Sequence, residues 1–95
     1  HDSFAEVMEQ YPQGRFFFAT TKAKRCYSDV QFQPDDFLVF GKETAGLSPE
    51  IRDLIPENNI RIPMGKDIRS LNLANSVAII LYEALRQQGF PNLVW

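Results

Sequence analysis

Apolar and polar positions along this chain change rhythm several times. Phe4, Val7, Met8 and Tyr11 recur at i, i+3, i+4 and i+7, the spacing of one helical face. Ser3 with Glu6 three residues on has the form of a capping box. A first helix is therefore predicted from about Phe4 to Tyr11, ended by Pro12 and Gly14. Arg15-Phe16-Phe17-Phe18-Ala19-Thr20 is an aromatic run too short for a helix and apolar on both faces, as in a parallel strand covered on two sides. A polar stretch follows from Thr21 to Ser28, and Gln31-Phe32-Gln33-Pro34-Asp35-Asp36 punctuates the chain before Phe37-Leu38-Val39-Phe40, a second buried strand.

Ser48 as N-cap, Pro49 at the first helical position and Glu50 in the first turn predict a short helix from about Pro49 to Ile55, stopped by Pro56. Asn59-Ile60-Arg61-Ile62-Pro63 reads as a third strand, and Met64 to Ser70 as a loop. From Leu73, helical spacing runs through Val77, Ile80, Leu81, Ala84 and Leu85 to Gly89, a residue suited to the C′ position, with Pro91 beyond it. Helices interleaved with strands predict an α/β fold with a parallel sheet and flanking helices, whose ligands sit at the carboxyl ends of the strands. Each proposed strand runs there into a polar or glycine-bearing loop: Thr20 to Lys22, Gly41 to Gly46, and Pro63 to Ser70. Three loops converging on one rim would make a site.

Composition narrows the class without naming a chemistry. Ninety-five residues, 44% hydrophobic and 23% charged, predict one ordinary globular domain. A chain of this size buries only about 60 to 65% of its unfolded surface, so a partner subunit would add needed core. The most apolar stretch, Val77 to Leu81, is far shorter than the roughly 20 residues that cross a bilayer, and no membrane role is expected. The start HDSFAEVMEQ has neither the basic nor the apolar region of a secretory signal and lacks an initiating Met, which suggests a processed chain or a fragment. The single cysteine, Cys26, allows no internal disulfide and fits a reducing, cytoplasmic compartment.

Net charge is −2, but its distribution is uneven. From Tyr11 to Ser28 there is no acid and there are four bases, Arg15, Lys22, Lys24 and Arg25, a local basic patch on a mildly acidic body. Together with Tyr27 it has the makings of a phosphate grip with a stacking ring, or of a plain solvated loop. His1 is the only histidine, so no Cys/His metal cluster is expected and no Ser-His-Asp or Cys-His arrangement can be assembled.

Two further stretches carry candidate chemistry. In "FGKETAGL", residues 40–47, Gly41 and Gly46 flank Glu43 in a strand-to-helix turn; it brings main chain close to a ligand, or is only a tight turn. It is not a Walker loop and contains no G-x-G-x-x-G. In "IPMGKDIRSLNLANSVAI", residues 62–79, Arg69, Ser70, Asn72 and Asn75 cluster around the start of the last helix. One of them is accounted for as an N-cap; the group as a whole also suits a nucleotide.

Taken together, FGKETAGL, IRIPM and RSLNLANSVAIILYEALRQ, with FFFATTK upstream, resemble the carboxyl-terminal motifs of the SPOUT class of RNA methyltransferases. Nearest in kind are the small tRNA 2′-O-methyltransferases that modify the wobble nucleotide of leucine tRNAs. The resemblance implies a trefoil-knotted α/β fold with the loop around Pro63 to Ser70 threaded, and S-adenosyl-L-methionine as cofactor. It assigns cofactor contacts to Ala19, Gly41, Glu43, Ile62 and Ser70, and places Ser70 and Asn72 at the methyl-transfer site. Lys22, Lys24, Arg25 and Arg69 would hold tRNA. It also implies a homodimer with the last helix at the interface, and no metal. The family carries a further amino-terminal α/β half with an N-x-G-N-I-x-R motif, which this sequence lacks. The chain is accordingly expected to be a carboxyl-terminal portion whose sheet has an open edge. A non-catalytic nucleotide- or RNA-binding module and a dimerisation unit on the same fold are the alternative readings.

Overall fold

The computed structural model describes residues 4–41, 46–64, 73–91 and 93. Four parallel strands form one sheet: β1 (Phe16–Ala19), β2 (Arg25–Cys26), β3 (Phe37–Val39) and β4 (Asn59–Arg61), in the order β2-β4-β1-β3. Three α-helices accompany it, α1 (Phe4–Gln10), α2 (Pro49–Arg52) and α3 (Leu73–Gln87), with 3₁₀ turns at Tyr27–Asp29 and Pro56–Asn58. The α/β class and the parallel sheet expected from the sequence are present.

Side-chain alternation on the strands divides the core into two layers. Phe16 and Phe18 of β1 point with Phe37 and Val39 of β3 into a cluster completed by Phe4, Val7 and Met8 of α1, Leu47, Ile51 of α2 and Ile55. Phe17 and Ile60 point to the other face, with Val30, Phe32 and Ile80 of α3; Ala19, Leu38, Phe40, Ile62 and Ala84 pack against that group. Both faces are thus covered, which is why β1 is apolar at every position rather than at every second one. Phe16, Phe17 and Phe18 are 2%, 2% and 0% exposed, and full burial of such a ring is worth roughly 1.5–3 kcal/mol. The rings also interlock: Phe16 stacks on Phe37 with centroids 4.6 Å apart, and Phe4 meets Phe16 and Phe18 edge-on at 5.7 Å.

Several boundaries differ from the sequence expectation. The second helix is shorter, ending at Arg52 rather than Ile55. Ser48 caps it as expected, accepting from Ile51 N–H at 3.4 Å. Ile55 is held at φ −137°, ψ 79°, outside the helical region, as the residue before a proline tends to be. Pro56 does not simply stop the chain but opens a 3₁₀ turn. The stretch expected to be an irregular polar loop contains β2, two residues paired with β4 through Arg25 and Ile60 and through Cys26 and Arg61. So short an element has no periodicity of its own and exists because β4 offers it a ladder.

The last helix ends as its sequence suggests. Gly89 has φ +79° and donates to Arg86 O at 3.0 Å, while Phe90 N–H donates to Leu85 O at 2.8 Å, the two bonds of a Schellman motif. Ser3, invoked as a cap for α1, lies outside the described residues, as do positions 65–70 of the loop expected to be threaded.

Candidate functional site at the carboxyl rim of the sheet

β3, β1 and β4 are neighbours and parallel, so their carboxyl ends open on one edge. Phe18 is level with Val39 on one side and Asn59 on the other, and Ala19 is level with Ile60. Thr20 N–H donates to Ile60 O at 2.9 Å, continuing the ladder one step past β1. Gly41 and Ile62 lie one and two residues past the positions level with Ala19, so the three emerge at the same edge of the sheet, each half-buried. Three sequence-predicted contacts, spread over more than forty positions of chain, are brought together by strand order alone.

Gly41 has a reason internal to the chain. A Cβ built on it would overlap the backbone of both Gly46 and Leu47, so residues 46 and 47 lie against the Gly41 Cα and admit no side chain there. Gly46 is glycine for another cause: its φ is +67° while its Cβ direction is open, a left-handed conformation that costs other residues about 1–2 kcal/mol. Among the described residues the rim consists of small or aliphatic groups, Ala19, the Gly41 main chain and Ile62. A partly exposed apolar and main-chain surface of this kind fits a nucleoside, whose ring wants apolar contact and whose edges want backbone partners.

The cationic segment adjoins this rim. β4 lies between β1 and β2, so residues 20–24 cross past it at the carboxyl end to reach Arg25. The crossing is a tight turn: Ala23 N–H donates to Thr20 O at 3.2 Å and Lys22 N–H to Thr20 Oγ1 at 3.1 Å. Ala23 is 6% exposed, whereas Lys22 and Lys24 on either side of it are exposed. Arg25 is exposed too, and its Nη1 donates to Glu57 O at 3.3 Å.

Arg15 does not belong with these. It sits at the amino end of β1, pairs with Asp36 at 3.4 Å, donates to Gln31 O and lies over the Phe17 ring at 5.0 Å. Asp36, with a side chain only 5% exposed, also accepts from Gln33 N–H at 2.7 Å, so Arg15 answers a buried carboxylate. Tyr27 is half-buried against the α3-side core, which leaves its ring turned partly inward. Among the described residues, no three His, Cys, Asp or Glu side chains are grouped to hold a metal ion, and no helix is long and apolar enough to cross a membrane. An open cleft of about 650 Å³, bounded by Tyr11, Gly14, Asp35 and Phe37 among others, lies at the opposite, amino-terminal edge and includes no predicted site residue. Glu43, Arg69, Ser70 and Asn72 fall outside the described residues.

The chain is similar over most of its length to several known proteins. The tRNA (cytidine(34)-2'-O)-methyltransferase of Escherichia coli strain K12 is 47% identical over 95 residues, covering 99% of this chain and 60% of that enzyme. A structure solved to study 2-OH methylation of C/U34 on tRNA superposes with a TM-score of 0.86 at 37% identity, over 94% of this chain and 58% of the other. The SpoU methyltransferase AviRb from Streptomyces viridochromogenes, in complex with the cofactor AdoMet, superposes with a TM-score of 0.80 at 33% identity, over 90% of this chain and 35% of the other. The chain thus spans about 60% of the curated relative's length. Residues 1–82 match the model of the SpoU rRNA Methylase family, and the chain belongs to that family.

Proposed function

We propose that the protein carrying this chain transfers a methyl group from S-adenosyl-L-methionine to the ribose 2′-hydroxyl of a tRNA wobble nucleotide. The observation that carries this reading is the emergence of Ala19, Gly41 and Ile62 at one rim, beside Lys22 and Lys24, in a chain 47% identical to a cytidine-34 methyltransferase. When bound, the cofactor supplies a methyl group already activated on a sulfonium, so the protein's task is chiefly alignment. Ala19, the Gly41 main chain and Ile62 hold the adenosine end, and Glu43 shapes the polar side of that pocket. Ser70 and Asn72 orient the ribose, and Lys22, Lys24, Arg25 and Arg69 meet tRNA phosphates.

The working unit in this reading is a cytoplasmic homodimer with a trefoil knot through the Pro63 to Ser70 loop. Support for the dimer comes from α3, whose outer face exposes Ala74, Ala78, Leu81 and Tyr82 at helical spacing. Leu81 and Tyr82 are 41% and 54% exposed, more apolar surface than a solvated helix needs.

The test is a methylation assay on unmodified leucine tRNA together with calorimetric titration of S-adenosylhomocysteine. Both methylation and binding are expected. Binding without methylation would leave only a nucleotide-binding module, and neither would leave a dimerisation unit. Within an active protein, Asn72→Ala should depress turnover more than cofactor affinity; equal losses would contradict the role given to Asn72.

A further inference from the structure

The carboxamide of Gln87, at the far end of α3, is engaged on every side. Its Nε2 donates to Val30 O at 2.8 Å and to Glu83 Oε2 at 2.7 Å, and its Oε1 accepts from Phe32 N–H at 2.7 Å. Gln88 adds a bond from Nε2 to Phe32 O at 2.6 Å. Residues 30 and 32 are thereby bonded as if to a neighbouring strand, with a side-chain amide in place of a peptide unit. Glu83 settles which way the amide faces, and Arg86 holds Glu83 in turn through bonds of 2.8 and 3.0 Å. Val30 and Phe32 are 1% and 5% exposed, so the segment that Gln87 grips is itself anchored in the core.

Gln87 continues the inward stripe of α3. It follows Leu73, Val77, Ile80 and Ala84 at alternating steps of four and three, so it sets the roll of the helix about its axis. Ile80 and Ala84 pack in the cluster that includes Ala19, Phe40 and Ile62, the residues at the strand ends that lead to the rim. Dense packing passes a rotation of α3 on to those residues instead of absorbing it. Leu73, which follows the Ser70-to-Asn72 stretch in sequence, lies about 21 Å along the helix from Gln87, so a small roll at the latch moves both what the helix covers and what its first turn presents.

We propose that Gln87 is a positioning residue for methyl transfer: by clasping the main chain of residues 30 and 32 it fixes α3 against the sheet face beneath the rim. This rests on the function proposed above. A merely structural role would lower stability and leave the turnover of folded protein unchanged, whereas a positioning role lowers kcat, because displacements near 1 Å in a reacting pair cost up to about a hundredfold. The experiment uses the protein as encoded, with Gln87→Met, which keeps length but cannot make the bonds, and Glu83→Gln as a milder variant that still folds if the first does not. Measured on tRNA at saturating cofactor and well below the melting temperature, kcat should fall about tenfold for Gln87→Met and about threefold for Glu83→Gln. S-adenosylhomocysteine affinity should change by less than about threefold in both. Wild-type kcat in the folded variants overturns the proposal while leaving the functional reading intact; a wild-type protein that does not methylate tRNA removes both.

Discussion

Gly41→Ala isolates the rim from the rest of the fold. The added methyl would approach three backbone atoms of Gly46 and Leu47, and even the loosest of these, Gly46 O at 2.5 Å, falls about 0.9 Å short of the 3.4 Å at which ordinary contact begins. The tightest, Gly46 C at 2.1 Å, falls about 1.3 Å short, and because these atoms are backbone, the chain at residues 46 and 47 must itself move by about that much. Overpacking of this kind costs about 1–3 kcal/mol, which for a domain of this size lowers the melting temperature by roughly 5–20 °C. The larger effect is on binding, since the displaced backbone packs directly against the Gly41 main chain proposed to hold the adenosine, and S-adenosylhomocysteine affinity should weaken at least about tenfold, in line with the sensitivity of such sites to 1 Å shifts. Gly46→Ala is the control. Its methyl enters open space and strains only a backbone angle of +67°, costing about 1–2 kcal/mol, so it should lower the melting temperature with affinity within about threefold of wild type. Thermal melts and calorimetric titration of the two variants decide the matter. Wild-type affinity in folded Gly41→Ala, or equal loss of affinity in both, would refute the assignment of the Gly41 main chain to the cofactor surface.

Three further outcomes are expected. Replacing Lys22 and Lys24 together by Gln should weaken tRNA binding across sequences and reduce the slope of log affinity against log salt by about 1.5; Arg15→Gln, which removes the partner of buried Asp36, should lower the melting temperature and leave that slope unchanged. Bonds from Arg86 and Gln87 hold the Glu83 carboxyl down to about 2, from an ordinary 4.5. A depressed folded value means that this contribution is complete above about pH 4.5 and is lost as pH falls toward 2, so chemical denaturation across that window should show a shallower acid loss in Glu83→Gln than in wild type. Leu81→Glu on the exposed face of α3 should shift sedimentation from dimer to monomer with little change in helix content, and an unchanged dimer would place the interface elsewhere.

What can be read from the sequence is whatever depends on neighbours in the chain. The stripe of Leu73, Val77, Ile80, Leu81, Ala84 and Leu85, the glycine that ends its helix, the aromatic run of β1 and the Ser48-Pro49 start of α2 each carry their own local cause: side-chain periodicity, a positive φ, a cap. The two-residue β2 has no such cause, because its conformation comes from β4, more than thirty positions away. Arg15 and Lys22 look alike in a charge count, and only the sheet separates them, placing one beside buried Asp36 at the amino edge and the other on the rim. Gln87 was invisible for a related reason. Glutamine at the end of a helix is ordinary until the chain folds back to set Val30 and Phe32 against it.

Local patterning thus accounts for the α/β class and for most of the helices and strands. Tertiary structure alone decided that β4 inserts between β1 and β2, that Ala19, Gly41 and Ile62 share one edge, and that Gly41 must be glycine because its own chain returns over it. The physical division is one of range. Periodicity and capping act over a few residues and are written into the sequence, while strand order, burial of a charge and contact between distant backbones arise only when the whole chain is packed.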